Sequence, residues 1–161
     1  HLRLLQKLKY YGIHGSLLAW IGNFLQGRVQ QVVLDGDSSD QANVSSGVPQ
    51  GTVLGPLLFL AYINDLPDCV SADSHIRLFA DDSVIYRVIN NTDDAAKLQQ
   101  DLDALQKWER QWLMEFHPEK CQVLNITKRH NPMNFTYNTI HGHPLEAVQS
   151  ANDTWVSNSS H

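Results

Sequence analysis

An α+β fold, with helices layered against a largely antiparallel sheet, is what three features of this 161-residue sequence predict. Segments of helical periodicity and segments of alternating or β-branched residues interleave in the order helix, hairpin, helix, hairpin, helix, strand. No internal repeat or low-complexity tract interrupts that order. With 42% hydrophobic and 18% charged residues, the composition is that of a domain able to bury a core.

The elements follow in chain order. Leu2, Leu5 and Leu8 sit three apart, and Leu17, Leu18, Ile21, Phe24 and Leu25 repeat at helical spacing, so two helices joined near "YYGIHG" are expected. A β-branched run from Arg28 to Leu34, the turn-rich "DGDSSD" and the segment Ala42 to Ser45 suggest a hairpin. "GVPQG" then reads as a loop, punctuated by Pro49, Gly51 and Gly55. Pro56 suits the first turn of a helix whose face would be Leu57, Leu60, Ala61 and Asn64.

His75 to Ala80 and Ser83 to Val88 both alternate, placing Asp81-Asp82 at the turn of a second hairpin. Leu98, Leu102, Leu105, Trp108, Trp112 and Phe116 recur at three- and four-residue steps, predicting one long amphipathic helix from Thr92 to Phe116. Thr92 would cap it, and Asp93-Asp94 would occupy a first turn whose dipole favours negative charge. Pro118 ends the helix, and Cys121 to Ile126 reads as a strand. Phe135 to Ile140, "HGHP" and Leu145 to Val148 suggest a last hairpin, and residues 149–161 form an aperiodic tail.

Composition also excludes functions. A net charge of -5 and a pI near 5.8 offer no general attraction to a polyanion, which argues against a self-sufficient nucleic-acid binder. The longest apolar stretch, Val53 to Leu66, is broken by Gly55 and Pro56 and carries Asn64-Asp65, so no membrane span is expected. Cys69 and Cys121 are too few for a disulfide framework and lack metal-ligand spacing. With no signal-like N-terminus, an intracellular location, cytoplasm and nucleus, is the expectation. The Asn-x-Ser/Thr sites at Asn43, Asn90, Asn125, Asn134, Asn152 and Asn158 are discounted for the same reason. His141 and His143 are read as turn residues, and Trp20, Trp108 and Trp112 as core. The sequence opens on His1, in what reads as mid-helix, as if cut from a longer protein.

Thirteen aspartates in 161 residues yield roughly one adjacent pair by chance, so an Asp-Asp dipeptide alone carries no chemistry. Position distinguishes the two pairs. Asp93-Asp94 is accounted for by a helix start. Asp81-Asp82, at the tip of a hairpin, can present hard oxygen ligands to a divalent cation on a rigid turn open to substrate. Neighbouring strand residues point to opposite faces, so one of the two would ligate fully and the other lend charge or a bridging contact. A third acid from elsewhere would normally complete such a site.

"SSGVPQGTVLGPLLFLAYINDL", followed by "LFADDSVIY" and then by a Trp-containing helix and "FHPEKCQVL", is a series of motifs in one order. It resembles the reverse transcriptases of non-LTR retrotransposons, the jockey and CR1-like elements, over about residues 1–148. The resemblance implies a partial reverse transcriptase fold, the polymerase palm without fingers or thumb. It implies RNA-directed DNA polymerisation on an RNA template and DNA primer, with deoxynucleoside triphosphates as substrates and two magnesium ions as cofactors. No obligate protein partner is implied.

Residue by residue, Asp81 and Asp82 match the acidic pair of the palm active site, as catalytic residues and magnesium ligands. Ser46, Gly47, Pro49, Gln50 and Gly51 match the loop that places the incoming nucleotide and the template. Lys120 matches a lysine that approaches pyrophosphate in polymerases; the plainer reading is a solvated lysine at a strand start. Arg28, Lys128 and Arg129 are available for phosphate contact, although scattered cations are more usually a solvated face.

Two departures from the family pattern stand out. The block holding the family's first catalytic aspartate would precede His1, and "QSANDTWVSNSSH" stands where the family has a Tyr-Leu-Gly block. The expectation is therefore a polymerase segment inactive by itself. The alternatives are a catalytically dead remnant that acts at most as a nucleic-acid-binding or interaction module and, more distantly, another palm enzyme such as a nucleotide cyclase. The Pro-Gln-Gly loop argues against the cyclase.

Overall fold

The computed structural model describes residues 1–127, 135–138 and 141–148, and the chain divides into two units, residues 1–64 and 65–161. The aperiodic tail from 149, Lys128 and Arg129 lie outside the described residues. The architecture is α+β with four helices, as expected. In place of one sheet, the described strands form four separate two-stranded ladders, three antiparallel and one parallel.

In the first unit, α1 (Leu2–Tyr10) and α2 (Gly15–Leu25) pack their inward faces together and against α3 (Leu54–Ile63). Leu4, Leu8, Ile21, Leu25 and Leu58 form the core, with Leu8 and Leu25 wholly enclosed. Truncating such a leucine to alanine costs about 2–5 kcal/mol. Lys7 is buried beside them, its Nζ donating to the Tyr62 carbonyl at 2.5 Å and lying 4.9 Å from the Tyr62 ring centre. The ammonium thereby meets the negative end of α3, where a cation is favoured.

The α3 face differs from expectation. Gly55, Leu58 and Ile63 are buried, whereas Leu57 and Leu60 are exposed by 59% and 49%. This helix is apolar on every side, so periodicity has no contrast from which to select the inward face. Leu17 and Trp20 of α2 are likewise exposed, Trp20 stacking on Phe24 with ring centres 5.9 Å apart. Trp20 is not a core residue.

Between α2 and α3 the expected hairpin forms in two pieces. β1 (Val29–Gln30) pairs with β4 (Ala42–Asn43), and β2 (Val33–Leu34) pairs with β3 (Asp37–Ser38). Asp35 and Gly36 form the two-residue tip with φ of 50° and 93°, the signs an Asp-Gly hairpin turn demands.

In the second unit a 3₁₀ turn, Leu66–Cys69, precedes the hairpin of β5 (His75–Phe79) and β6 (Asp82–Tyr86). Next comes α4 (Thr92–Trp112), whose Ala95, Leu105 and Trp108 are buried. The Trp108 indole donates to Asp65 Oδ1 at 2.9 Å, which satisfies the ring nitrogen of a buried tryptophan. The cap of α4 is Asn91 rather than Thr92: Asn91 Oδ1 accepts from the Asp94 amide at 2.9 Å. The helix stops at Leu113, in a left-handed conformation with φ 52°, and Phe116 folds back to donate its amide to Glu109 Oε1 at 3.0 Å. This reversal ends the helix one turn earlier than Phe116.

After a 3₁₀ turn at Pro118–Lys120, β7 (Gln122–Leu124) pairs in parallel with β8 (Glu146–Val148). The expected last hairpin survives among the described residues only as an antiparallel bridge, Asn138 with Pro144, and a hydrogen bond from the Leu145 amide to the Tyr137 carbonyl. Alternation in sequence identified strands here without identifying their partner. Burial pushes the phenol of Tyr137 above its ordinary value.

Candidate active site

The β5–β6 ladder runs from His75↔Tyr86 to Phe79↔Asp82, leaving Ala80 and Asp81 as a two-residue turn. Asp82 is therefore the first residue of β6 and Asp81 the last of the turn, so the acidic pair straddles the two. Ala80 takes φ 51°, a conformation that an L-residue adopts at a cost of about 1–2 kcal/mol. Positive φ at the first turn position with an ordinary φ at the second is the sign pattern of a II′ turn, whose twist matches that of paired strands.

Both carboxylates are exposed, and neither has a hydrogen-bond or ion-pair partner among the described residues. Hard oxygen ligands held at a short turn and otherwise uncommitted suit a divalent cation. Two of them supply part of a coordination shell. Among the described residues no three His, Cys, Asp or Glu side chains come together as a metal set.

The second group of candidates lies in the other unit. Ser46, Gly47, Pro49, Gln50 and Gly51 form one continuous loop before α3, with Gly47 and Gly51 at φ 76° and 80°. Side-chain-bearing residues are strained there, so glycine is needed for its backbone as well as for close approach. The loop is pinned from below by half-buried Val48, packed against the leucine core, and by buried Pro49. Gln50 is left exposed, its amide without a hydrogen bond among the described residues.

Two further residues shape this loop: Gly55, read from sequence as its punctuation, and Thr52, which was not singled out there. Thr52 Oγ1 donates to the Pro49 carbonyl at 2.7 Å and accepts from the Gly55 amide at 3.1 Å, tying the loop to the first turn of α3. A Cβ at Gly55 would lie 2.3 Å from the Pro49 oxygen, so the tie excludes any other residue there. The signal was present, since a threonine just ahead of a helical run marks a helix entry.

Lys120 ends the Pro118–Lys120 turn with its side chain in solvent. Beside it the Cys121 thiol donates to the His117 carbonyl at 3.3 Å, and burial, then the charge of Glu109, push it above its ordinary value. A thiol so protonated is a poor nucleophile. The structure thus brings together two of the three candidate sets internally: the acidic pair at one turn and the five loop residues in one loop.

Comparison with known proteins supplies the decisive observation. The family model described as reverse transcriptase (RNA-dependent DNA polymerase) matches residues 1–147. The chain belongs to the reverse transcriptase family. It is 32% identical over 116 residues to the RNA-directed DNA polymerase from mobile element jockey of Drosophila melanogaster, covering 68% of this chain and 13% of that protein. The jockey polymerase of Drosophila funebris is 31% identical over 137 residues, 79% of this chain and 14% of the relative.

The probable RNA-directed DNA polymerase from transposon X-element of Drosophila melanogaster is 32% identical over 143 residues, 82% of this chain and 15% of the relative. The chain therefore spans about a seventh of the length of these relatives. Reverse transcriptases as a family work with a divalent metal ion.

Proposed function

We propose that this chain is palm-region sequence of a non-LTR retrotransposon reverse transcriptase, which transfers deoxynucleotides to a primer 3′-hydroxyl on an RNA template. The observation that carries the reading is the exposed Asp81-Asp82 pair, without a partner among the described residues, at a hairpin tip in a member of this family. Asp81 and Asp82 would hold magnesium. When bound, magnesium supplies positive charge at the attacking hydroxyl and at the departing pyrophosphate.

The chain's own residues do the rest. The paired strands hold the two carboxylates at a fixed spacing while leaving them open to substrate. The backbone of Gly47 and Gly51 admits close approach of a nucleotide, and the free Gln50 amide offers it one donor and one acceptor. Ser46 and Pro49 set the course of that loop. Lys120, exposed on its own turn, brings a flexible cation to the pyrophosphate and can hand it a proton. On this reading the protein acts inside the cell, where RNA and deoxynucleotides are available.

By itself the 161-residue chain does not polymerise, because two acids on one turn do not fix two ions. Primer extension on an RNA template tests both statements. A complete polymerase carrying this segment should extend a primer and lose that activity with Asp81→Ala, while the 161-residue chain alone should not extend. Full activity of the Asp81→Ala polymerase would sink the site assignment, and extension by the isolated chain would sink the claim of inactivity.

A further inference from the structure

The acidic turn is one end of the β5–β6 hairpin, and the other end is closed by a buried polar cluster. Ser74 immediately precedes β5 and Arg87 immediately follows β6, so the two continue the His75↔Tyr86 register by one further step. Arg87 Nη1 donates to Ser74 Oγ at 3.1 Å and to Ser71 Oγ at 3.0 Å. Arg87 Nη2 reaches Asp73 Oδ2 at 3.1 Å and lies 4.0 Å from Asp94 Oδ1.

Asp101, buried on α4, gathers the serines. Its Oδ1 accepts from the Ser71 amide at 2.8 Å, and its Oδ2 accepts from the Ser71 hydroxyl at 2.9 Å and from the Ser74 hydroxyl. The Arg87 side chain is only 3% exposed, and its Nε has no partner among the described residues. A cation taken this far out of water is costly to keep, and its fit to both strand ends points to a role beyond filling space.

Building on the polymerase reading above, we infer that Arg87, Ser71, Ser74 and Asp101 form a clamp that positions the metal-binding turn by fixing the base of its hairpin to α4. Each strand has five residues, so the turn lies about 17 Å from the clamp at ~3.3 Å per residue. A pivot of about 5° at the base would carry the Asp81 and Asp82 carboxylates through roughly 1.5 Å relative to any group outside the hairpin, and fraying of the unclamped strands would vary the spacing of the two carboxylates themselves, for which metal–ligand distances leave a tolerance of about 0.2 Å. These four residues are positioning residues, remote from the reacting atoms, and a slight loosening at one end becomes a large one at the other.

The test uses the 161-residue chain, with Mn²⁺ as the probe. Amide hydrogen exchange and Mn²⁺-induced line broadening are compared in wild type, Asp101→Asn, Ser74→Ala and Arg87→Lys. In Asp101→Asn and Ser74→Ala, exchange should quicken about tenfold in β5 and β6 while α4 and the leucine core stay protected. The Mn²⁺ concentration that half-broadens the Ala80 to Asp82 amides should rise about threefold to tenfold when the loosened hairpin holds both carboxylates in place about a third to a tenth of the time, because apparent affinity falls with the competent fraction. Arg87→Lys should fall between.

Uniform loss of protection with an unchanged Mn²⁺ half-point would reduce the cluster to ordinary structural support and overturn the inference, as would local loosening that the turn does not register. Should Asp101→Asn fail to fold, Ser74→Ala, which removes only a hydroxyl, decides. Absence of Mn²⁺ broadening at the wild-type turn would count against the metal reading of Asp81-Asp82, and the exchange rates of the turn amides would then decide the clamp alone.

Discussion

Two Asp-Asp pairs stand twelve residues apart in this chain and share nothing but composition. Asp94 is committed on every side: its amide donates to Asn91 Oδ1, its Oδ2 accepts from the Asn90 amide at 3.0 Å, and its Oδ1 faces Arg87. Asp93 sits in the first turn of α4, where the helix dipole favours it. Asp81 and Asp82 have no partner among the described residues, and the turn that holds them places Ala80 in a left-handed conformation. Asp94 is spent on holding the helix start, and Asp93 contributes to it only through its charge at the dipole. The other pair is held by its hairpin, Asp82 pairing with Phe79 in the ladder, while neither side chain bonds to a described residue.

The comparison breaks most visibly if the pairs are removed one at a time. In a complete polymerase carrying this segment, Asp81→Ala or Asp82→Ala should lower primer extension by at least about a thousandfold, the rate equivalent of roughly 4 kcal/mol of lost transition-state stabilisation. The melting temperature should hold or rise, because mutual repulsion is relieved. Asp93→Ala should leave extension within about twofold. Equal losses from the two pairs would erase the distinction.

The reverse experiment is smaller and reads stability. Asn91→Ala removes the side-chain acceptor at the start of α4 and should cost about 1 kcal/mol. Thr92→Ala should cost less, since Thr92 is the first helical residue and not the cap. Denaturant titration of both variants checks the order. A larger loss from Thr92→Ala would restore the cap that the sequence alone suggested.

Such one-residue shifts show where sequence reasoning reaches its limit. The β5–β6 hairpin and α4 were legible because alternation and three-to-four spacing each leave an amphipathic trace, and with them came the acidic turn and the Gly-Val-Pro-Gln-Gly loop. The inward face of α3 left no trace, since Leu57, Leu58 and Leu60 are equally apolar, and Trp20 looks the same in sequence whether it is covered or stacked in the open on Phe24. The clamp was invisible for a different reason. Ser71, Ser74, Arg87 and Asp101 are unremarkable polar residues until the fold brings them together across as many as thirty positions of chain. Neither the strand pairing of β7 nor the role of Thr52 carries a periodic signal.

The strained turn offers a gain in place of a loss. Ala80→Gly should relieve the cost of φ 51°, offset by the greater freedom of glycine in the unfolded chain, for a net stabilisation of about 0.5–1 kcal/mol. If the left-handed turn is held only by its paired strands, the variant should keep the hairpin and raise the denaturant midpoint. A destabilised variant would show that the alanine methyl makes a contact worth more than the strain it causes.

A third acid sets the finest test of what commitment means. Glu109 is buried, one oxygen accepting from the Phe116 amide at 3.0 Å and lying 3.6 Å from His141 Nε2, the other without a partner among the described residues. Its charge is the second cause, after burial, of the raised Cys121 pKa. Because the folded thiol binds its proton more tightly than the unfolded one, its contribution to stability is present in full below the ordinary thiol value of 9.0 and is lost as pH rises through the folded value. Glu109→Gln keeps an acceptor for Phe116 and removes the charge, so the Cys121 pKa should fall part of the way only, burial being the larger cause. Alkylation of Cys121 followed against pH reads this directly: the variant's rate should climb at lower pH than wild type, yet still above the range of an open thiol. A return to the ordinary value would make Glu109, and not burial, the dominant influence at that thiol.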